Sequence, residues 1–136
     1  MIKFLTLSEI MQILEDQIRH YGGTYGVRDL NLLSSAVYMP ESSFGGHYFH
    51  ETIPAMAAAY AYHICQNNPF LDGNKRVALA GSLVFLDTNN YEFDCDEEKL
   101  CNEVMNVAKG ETKKPELLKF YEKYSRKNSD KRSYRA

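Results

Sequence analysis

At 136 residues, with 44% hydrophobic and 25% charged positions, the chain has the make-up of one globular domain, able to bury roughly two thirds of its unfolded surface. Its net charge of −2 is unevenly placed: residues 123–136 hold six Lys or Arg against one Asp, leaving ten against seventeen in the first 122, so a basic tail follows an acidic body. Cys65, Cys95 and Cys101 are odd in number and lack CxxC spacing, they form no zinc pattern with His47 and His50, no secretory signal is seen, and the longest apolar run, Ile53 to Cys65, is short; disulfide-built and membrane-spanning classes are excluded, and a soluble cytoplasmic protein with reduced thiols is expected.

In chain order, Thr6-Leu7-Ser8-Glu9 reads as a capping box opening a helix, with Ile10, Ile13, Leu14, Ile18 and Tyr21 on one face and a stop at Gly22-Gly23. Thr24 to Arg28 is a turn. Asp29 sits where an N-cap belongs before Leu30, Leu32, Leu33, Ala36 and Val37, and this second helix ends before Pro40. Arg28 is free to reach a nucleotide or a partner, but pairing with acidic neighbours is the expectation. Residues 41–51 are too polar and glycine-bearing for a core element yet carry Phe44, Tyr48 and Phe49, which fits a mobile flap or a loop with its aromatics laid on the core; His47 and His50 are read as surface residues. Thr52 and Pro54 start a helix that is small and apolar on nearly every side, through Ala55, Met56, Ala57, Ala58, Ala59, Tyr60, Ala61, Tyr62 and Ile64. Such a helix must be central.

The densest polar chemistry follows, in Asn67-Asn68-Pro69-Phe70-Leu71-Asp72-Gly73-Asn74-Lys75-Arg76. Pro69 pushes Asn68 out of the α region and stops the helix at Asn67. Phe70 supplies a buried anchor, and Gly73 a backbone without a Cβ in the way of a ligand. From Asn74 to Asp87 a second apolar helix is expected to pack antiparallel against the Ala-rich one. Lys75 and Arg76 in its first turn oppose the helix dipole, so a shared anion accounts for them, and phosphate suits a helix N-terminus. Asp72 is either an ordinary N-cap or a carboxylate for a hard cation such as Mg²⁺. The spacing is not that of a Walker A loop.

Beyond the loop, Asn89-Asn90 marks a turn and Tyr91 to Cys95 is at most a short extended piece, with no sheet expected. Asp96 caps a helix that carries Glu97 and Glu98 in its first turn, buries Leu100, Val104, Val107 and Ala108, and ends at Gly110. Pro115 begins the last helix, striped by Leu117, Leu118, Phe120, Tyr121 and Tyr124. The domain is thus taken as 1–125 and residues 126–136 as a basic disordered tail. Arg126, Lys127, Lys131, Arg132 and Arg135, with Tyr124 and Tyr134, could meet nucleic acid, but a solvated tail is the preferred account.

Asn68 to Arg76 resembles the signature of the Fic and Doc (death-on-curing) proteins, H-P-F-x-[DE]-G-N-[GK]-R, at eight of nine positions. Tyr21-Gly22-Gly23, Gly26-Val27-Arg28-Asp29, Leu32-Leu33 and Phe44-Gly45-Gly46 extend the likeness, as in the Doc branch, so that residues from about Leu5 to Tyr91 are covered. The resemblance implies an all-α fold, a single helical bundle of about six helices around the Ala-rich one with the motif loop between two antiparallel core helices. It implies ATP-dependent modification of a protein hydroxyl with Mg²⁺. Relatives with Gly at the position of Lys75 typically transfer AMP, while Doc-like toxins with Lys transfer the γ-phosphate to elongation factor Tu, so Lys75 favours phosphoryl transfer.

By the same resemblance, Asp72 holds the metal, Gly73 and Asn74 donate to phosphate from backbone and amide, Lys75 and Arg76 bind the phosphates, and Phe44, Gly45 and Gly46 belong to the flap that lies beside the site and positions the target's backbone. Asn68 departs from the family, which has a histidine acting as general base there. An amide can hydrogen-bond a hydroxyl but cannot carry its proton away, and losing a general base costs on the order of 10²- to 10⁴-fold, so the chain as written is expected to be impaired or inactive. It is a natural pseudoenzyme that binds nucleotide or antitoxin, it uses another base, or it is a toxin bearing an inactivating His-to-Asn change. His63 lies five residues before Asn68, about 140° round a helix, and reads as a packed or surface residue. The family's self-restraining helix, [ST]-x-x-x-E-[GN], has no match, since Thr112 to Glu116 is followed by Leu117; restraint in trans by an antitoxin peptide is expected.

Overall fold

A computed structural model describes residues 1–128. Helix α1 (Leu7–Tyr21) opens on the expected capping box, with Glu9 N–H donating to Thr6 Oγ1 at 3.1 Å and Thr6 N–H to Glu9 Oε1 at 2.8 Å. It closes at Gly22, which takes the positive φ that ends a helix without a Cβ clash. Asp29 caps α2 (Leu30–Tyr38) through Leu32 N–H at 3.0 Å, and a 3₁₀ turn, Met39–Glu41, follows with Pro40 buried. Helices α3 (Ile53–Asn67) and α4 (Asn74–Thr88) form the centre. Tyr60 of α3 meets Phe85 of α4 with ring centroids 5.0 Å apart, the match an antiparallel pair requires. α5 (Glu97–Ala108) and α6 (Lys114–Tyr124) pack on the other sides of α3.

The alanines of α3 carry the architecture. Ala57, Ala58 and Ala59 are fully buried, and helices can approach from several directions only where the side chains are this small. Two large polar rings share the interior, each with a partner: Leu5 N–H donates to Tyr60 Oη at 2.9 Å, and Tyr121 Oη lies 2.6 Å from Ser82 Oγ. Burial pushes both phenols well above their usual pKa, so they stay neutral donors or acceptors.

Three expectations are corrected. Residues 43–48 form a two-stranded hairpin, β1 (Ser43–Phe44) against β2 (His47–Tyr48), turned by Gly45 and Gly46, whose φ values of 61° and 82° fit the primed turns that match strand twist. A second ribbon also exists. β3 (Tyr91–Phe93) pairs antiparallel with β4 (Ser125–Lys127), Phe93 opposite Ser125, because Phe93 buries itself among Phe120, Tyr121 and Tyr124. Arg126 and Lys127 are therefore strand residues rather than tail, with Arg126 Nε 3.2 Å from Asp94 Oδ2; the rest of the expected tail, 129–136, lies outside the described residues. Third, His50 is not on the surface. The chain dives from the hairpin towards Thr52, leaving His50 only 6% exposed, with Nδ1 buried and without a hydrogen-bond partner among the described residues. His47 is exposed, as expected.

Candidate active site

Between α3 and α4 the motif loop is built from the inside out. Phe70 is wholly buried, Pro69 is buried beside it, and Asn74 closes the loop on itself: Phe70 N–H donates to Asn74 Oδ1 at 2.8 Å while Asn74 Nδ2 donates to the Phe70 carbonyl at 3.0 Å. The carboxamide expected to face phosphate thus spends its oxygen and one N–H on loop shape. Gly73 caps α4 with φ 85° and no side-chain hydrogen bond, and Val77 N–H is the first to bond back into the helix, at 2.9 Å to the Gly73 carbonyl. The N–H groups of Asn74, Lys75 and Arg76 have no partner among the described residues, so they stand as donors at the positive end of the dipole.

Asp72 is not the N-cap of α4. Its Oδ2 accepts from Thr24 N–H at 2.7 Å, on the far side of the loop, while Oδ1 has no protein partner among the described residues. One free carboxylate oxygen beside uncapped amides fits a hard cation held by a single carboxylate and ligand phosphates. Arg76 is tied back in the same direction: Nη1 donates to the Gln17 carbonyl at 3.3 Å and Nη2 to that of Gly22 at 3.2 Å, with the guanidinium carbon 5.7 Å from the Tyr21 ring centre. Lys75 is exposed and without an acidic partner among the described residues.

Asn68 is the C-cap of α3, in the left-handed region at φ 49° and ψ 52°. Proline alone would have sent it to extended backbone; the left-handed cap serves equally to stop the helix. Its side chain is exposed and makes no hydrogen bond among the described residues. His63 offers no substitute. It faces α6, accepting from Lys114 Nζ at 2.9 Å, and burial, then the Lys114 charge, push its pKa down to about 4. A base that weak, turned away from the loop, is unsuited to take a hydroxyl proton at neutral pH.

What sequence reasoning missed is the strap running alongside. Residues 22–29 follow the loop from end to end: Thr24 N–H to Asp72, Leu71 N–H to the Gly26 carbonyl at 3.0 Å, a bridge between Val27 and Phe70, and Arg28 N–H to the Pro69 carbonyl at 2.7 Å. Arg28, expected to pair with an acid, instead spans two carbonyls, Asn67 at 2.9 Å and Asn68 at 2.7 Å, because the helix end offers unsatisfied acceptors at the negative pole of its dipole. An arginine with no acid at helical spacing was the available signal. The flap residues Phe44, Gly45 and Gly46 are exposed, but no hydrogen bond or ring contact joins them to the motif loop among the described residues. Tyr48 packs on Phe4, which stacks on Phe85, eleven residues along α4 from Asn74 and so about 16 Å from its start, placing the hairpin's base at the far half of the helix pair.

Beside Arg76 an open groove of about 520 Å³ runs between α1, α4 and α5, lined by Tyr21, Leu79, Leu83 and Cys101 among others. Among the described residues no group of three His, Cys, Asp or Glu side chains could by itself hold a metal, and no helix is long and apolar enough to cross a membrane.

A protein of Mycolicibacterium smegmatis named Toxin Doc is 37% identical over 89 residues, covering 62% of this chain and 68% of that one. The model of the Fic/DOC family matches residues 4–86, a span that takes in both the strap and the motif loop. With the signature loop folded between two core helices and more than half its length matched, the chain belongs to the Fic/DOC family.

Proposed function

We propose that this chain is a Doc-like toxin whose scaffold modifies a hydroxyl of a target protein at the expense of ATP, and that it is impaired as written because Asn68 stands where the family has its base. The observation that carries this reading is the start of α4, where three backbone N–H groups have no partner among the described residues, Lys75 and Arg76 stand in the first turn, and Asp72, just before the Gly73 cap, keeps Oδ1 free of protein partners. That set suits a nucleotide's phosphates and their Mg²⁺. Asp72 would hold the cation, which when bound supplies neutralisation of phosphate charge. Lys75 favours transfer of the γ-phosphoryl group over AMP: the target oxygen forms a bond to phosphorus, the bond to the bridging oxygen breaks, ADP leaves, and the hydroxyl proton must pass to a base at position 68. Preorganised cations and amides account for charge stabilisation in such a step. Asn68 can orient the hydroxyl but cannot receive the proton.

Elongation factor Tu is the target expected from the Doc branch, and an antitoxin peptide the expected restraint. The groove is apolar along Leu79 and Leu83 and takes in Arg76, so a peptide seated there would reach a cation here proposed to bind phosphate and would block nucleotide. A second reading is favoured by Asn68 itself: a pseudoenzyme that binds nucleotide or antitoxin without turnover.

The experiment compares the chain as given with Asn68→His, scoring growth arrest and label transferred to cell proteins from γ- and α-labelled ATP. Transfer of γ label by the histidine variant alone is expected. Equal inertness of both chains overturns the enzyme reading in favour of the binding module, and α label alone overturns phosphoryl in favour of AMP transfer.

A further inference from the structure

We propose that Arg28 is a positioning residue, fixing the backbone at position 68 so that whatever side chain stands there is aimed at the transferred group. The inference rests on the transferase reading, since it presumes that residue 68 faces the reacting hydroxyl.

Asn68 holds a left-handed conformation at φ 49°, uncommon for a residue with a Cβ though asparagine tolerates it, and one that surrounding contacts can over-determine. Three successive carbonyls are held by two adjacent residues of the strap. Arg28 Nη2 donates to the Asn67 carbonyl at 2.9 Å, Arg28 Nε to the Asn68 carbonyl at 2.7 Å, and both Arg28 N–H, at 2.7 Å, and Asp29 N–H, at 3.2 Å, to the Pro69 carbonyl. From the other side Asn68 N–H reaches the Ile64 carbonyl at 3.1 Å and Asn67 Nδ2 the Leu32 carbonyl at 2.8 Å. The backbone on either side of the Asn68 Cα is therefore pinned, and the direction of its Cα–Cβ bond with it. The guanidinium fork serves the two neighbouring carbonyls from separate nitrogens at a fixed spacing. A lysine keeps the charge at the helix terminus, but its three N–H groups leave one rotatable nitrogen and cannot reproduce that spacing.

The test uses the full chain carrying Asn68→His, with Arg28 intact, as Arg28→Lys and as Arg28→Ala. The expected result for Arg28→Lys is a loss of kcat on the order of 10- to 100-fold, the cost of a small misplacement at a reacting centre, with KM for ATP moved less than about twofold and the melting temperature retained. A nucleotide contact would raise KM instead, and a merely structural role would lower kcat no further than the melting temperature explains; either result overturns the proposal. Hydrogen exchange in the chain as given supplies an arm that needs no turnover. The amide of Asn68 should exchange about tenfold or more faster in Arg28→Lys, with Leu14 on α1 unchanged. If Asn68→His transfers nothing, the transferase reading falls on that ground, and unaltered exchange at residue 68 would separately sink the role given to Arg28.

Discussion

Removing the carboxamide of Asn74 leaves the N–H and carbonyl of Phe70 without partners, since both are satisfied only by that side chain. A part-buried backbone group stripped of its hydrogen bond costs about 1–3 kcal/mol, so Asn74→Ala should lower unfolding free energy by about 2 kcal/mol in urea titration, with nucleotide affinity lost alongside. If instead affinity fell at unchanged stability, the amide would be a ligand contact and not the loop's clasp. Two glycines of the strap make a sharper comparison. A Cβ on Gly23, at φ +110°, would sit 3.1 Å from the Asp72 Cβ and 3.5 Å from Arg76 Nη2, whereas one on Gly26 would meet the exposed end of Leu71 at 2.7 Å, a side chain free to swing away. Gly23→Ala should therefore weaken Mg²⁺-dependent ATP binding several-fold more than Gly26→Ala, as isothermal titration would show. An equal effect of the two would mean that Asp72 does not depend on the strap for its place.

How far each element could be read in advance follows from the range of the interactions that make it. The starts of α1, α2, α3 and α5 were legible, because Thr6, Asp29, Thr52 and Asp96 each cap through an N–H two or three residues on, and the stop at Asn67 was legible in Pro69. The motif loop was legible as a break between two core helices for the same local reason. The strap and the second ribbon were not, since Arg28 meets Asn68 forty positions away and β3 meets β4 across two helices. Nothing in Tyr91-Glu92-Phe93 announces that Ser125 will lie opposite Phe93. Pairing of β3 with β4 can be weighed by comparing the chain cut after Tyr124 with the chain cut after Asn128. The shorter form loses the ladder and the 2.6 Å bond from Ser125 Oγ to the Tyr121 carbonyl, and should be about 1–3 kcal/mol less stable to urea. Equal midpoints would show that Phe93 is held by its aromatic neighbours alone.

Across the whole molecule, three basic side chains from separate elements meet where α3, α6 and the 3₁₀ turn come together: His63, Lys114 and His50. Burial is the leading cause of a lowered pKa for all three, and the Lys114 charge lowers both histidines further. His63 accepts a hydrogen bond from Lys114, which requires a neutral imidazole, and its folded pKa of about 4 lies below the ordinary 6.5 of the unfolded chain. Between those values the unfolded chain binds the proton and the folded one refuses it. Stability from this site is thus complete above pH 6.5 and is lost as pH falls towards 4, the direction linkage requires when the unfolded state takes up more protons. Carboxylates titrate in the lower half of the same window, so the parent curve alone does not isolate the histidine. His63→Gln does, because glutamine keeps an acceptor for Lys114 Nζ and has nothing to protonate. In urea titrations from pH 7 to pH 4 the variant should stay near the parent at pH 7 and show a shallower fall, by about one proton's worth of slope between 6.5 and 4. Parallel curves would mean that His63 is protonated in the folded protein as readily as in the unfolded one, and that the Lys114 hydrogen bond is absent in solution.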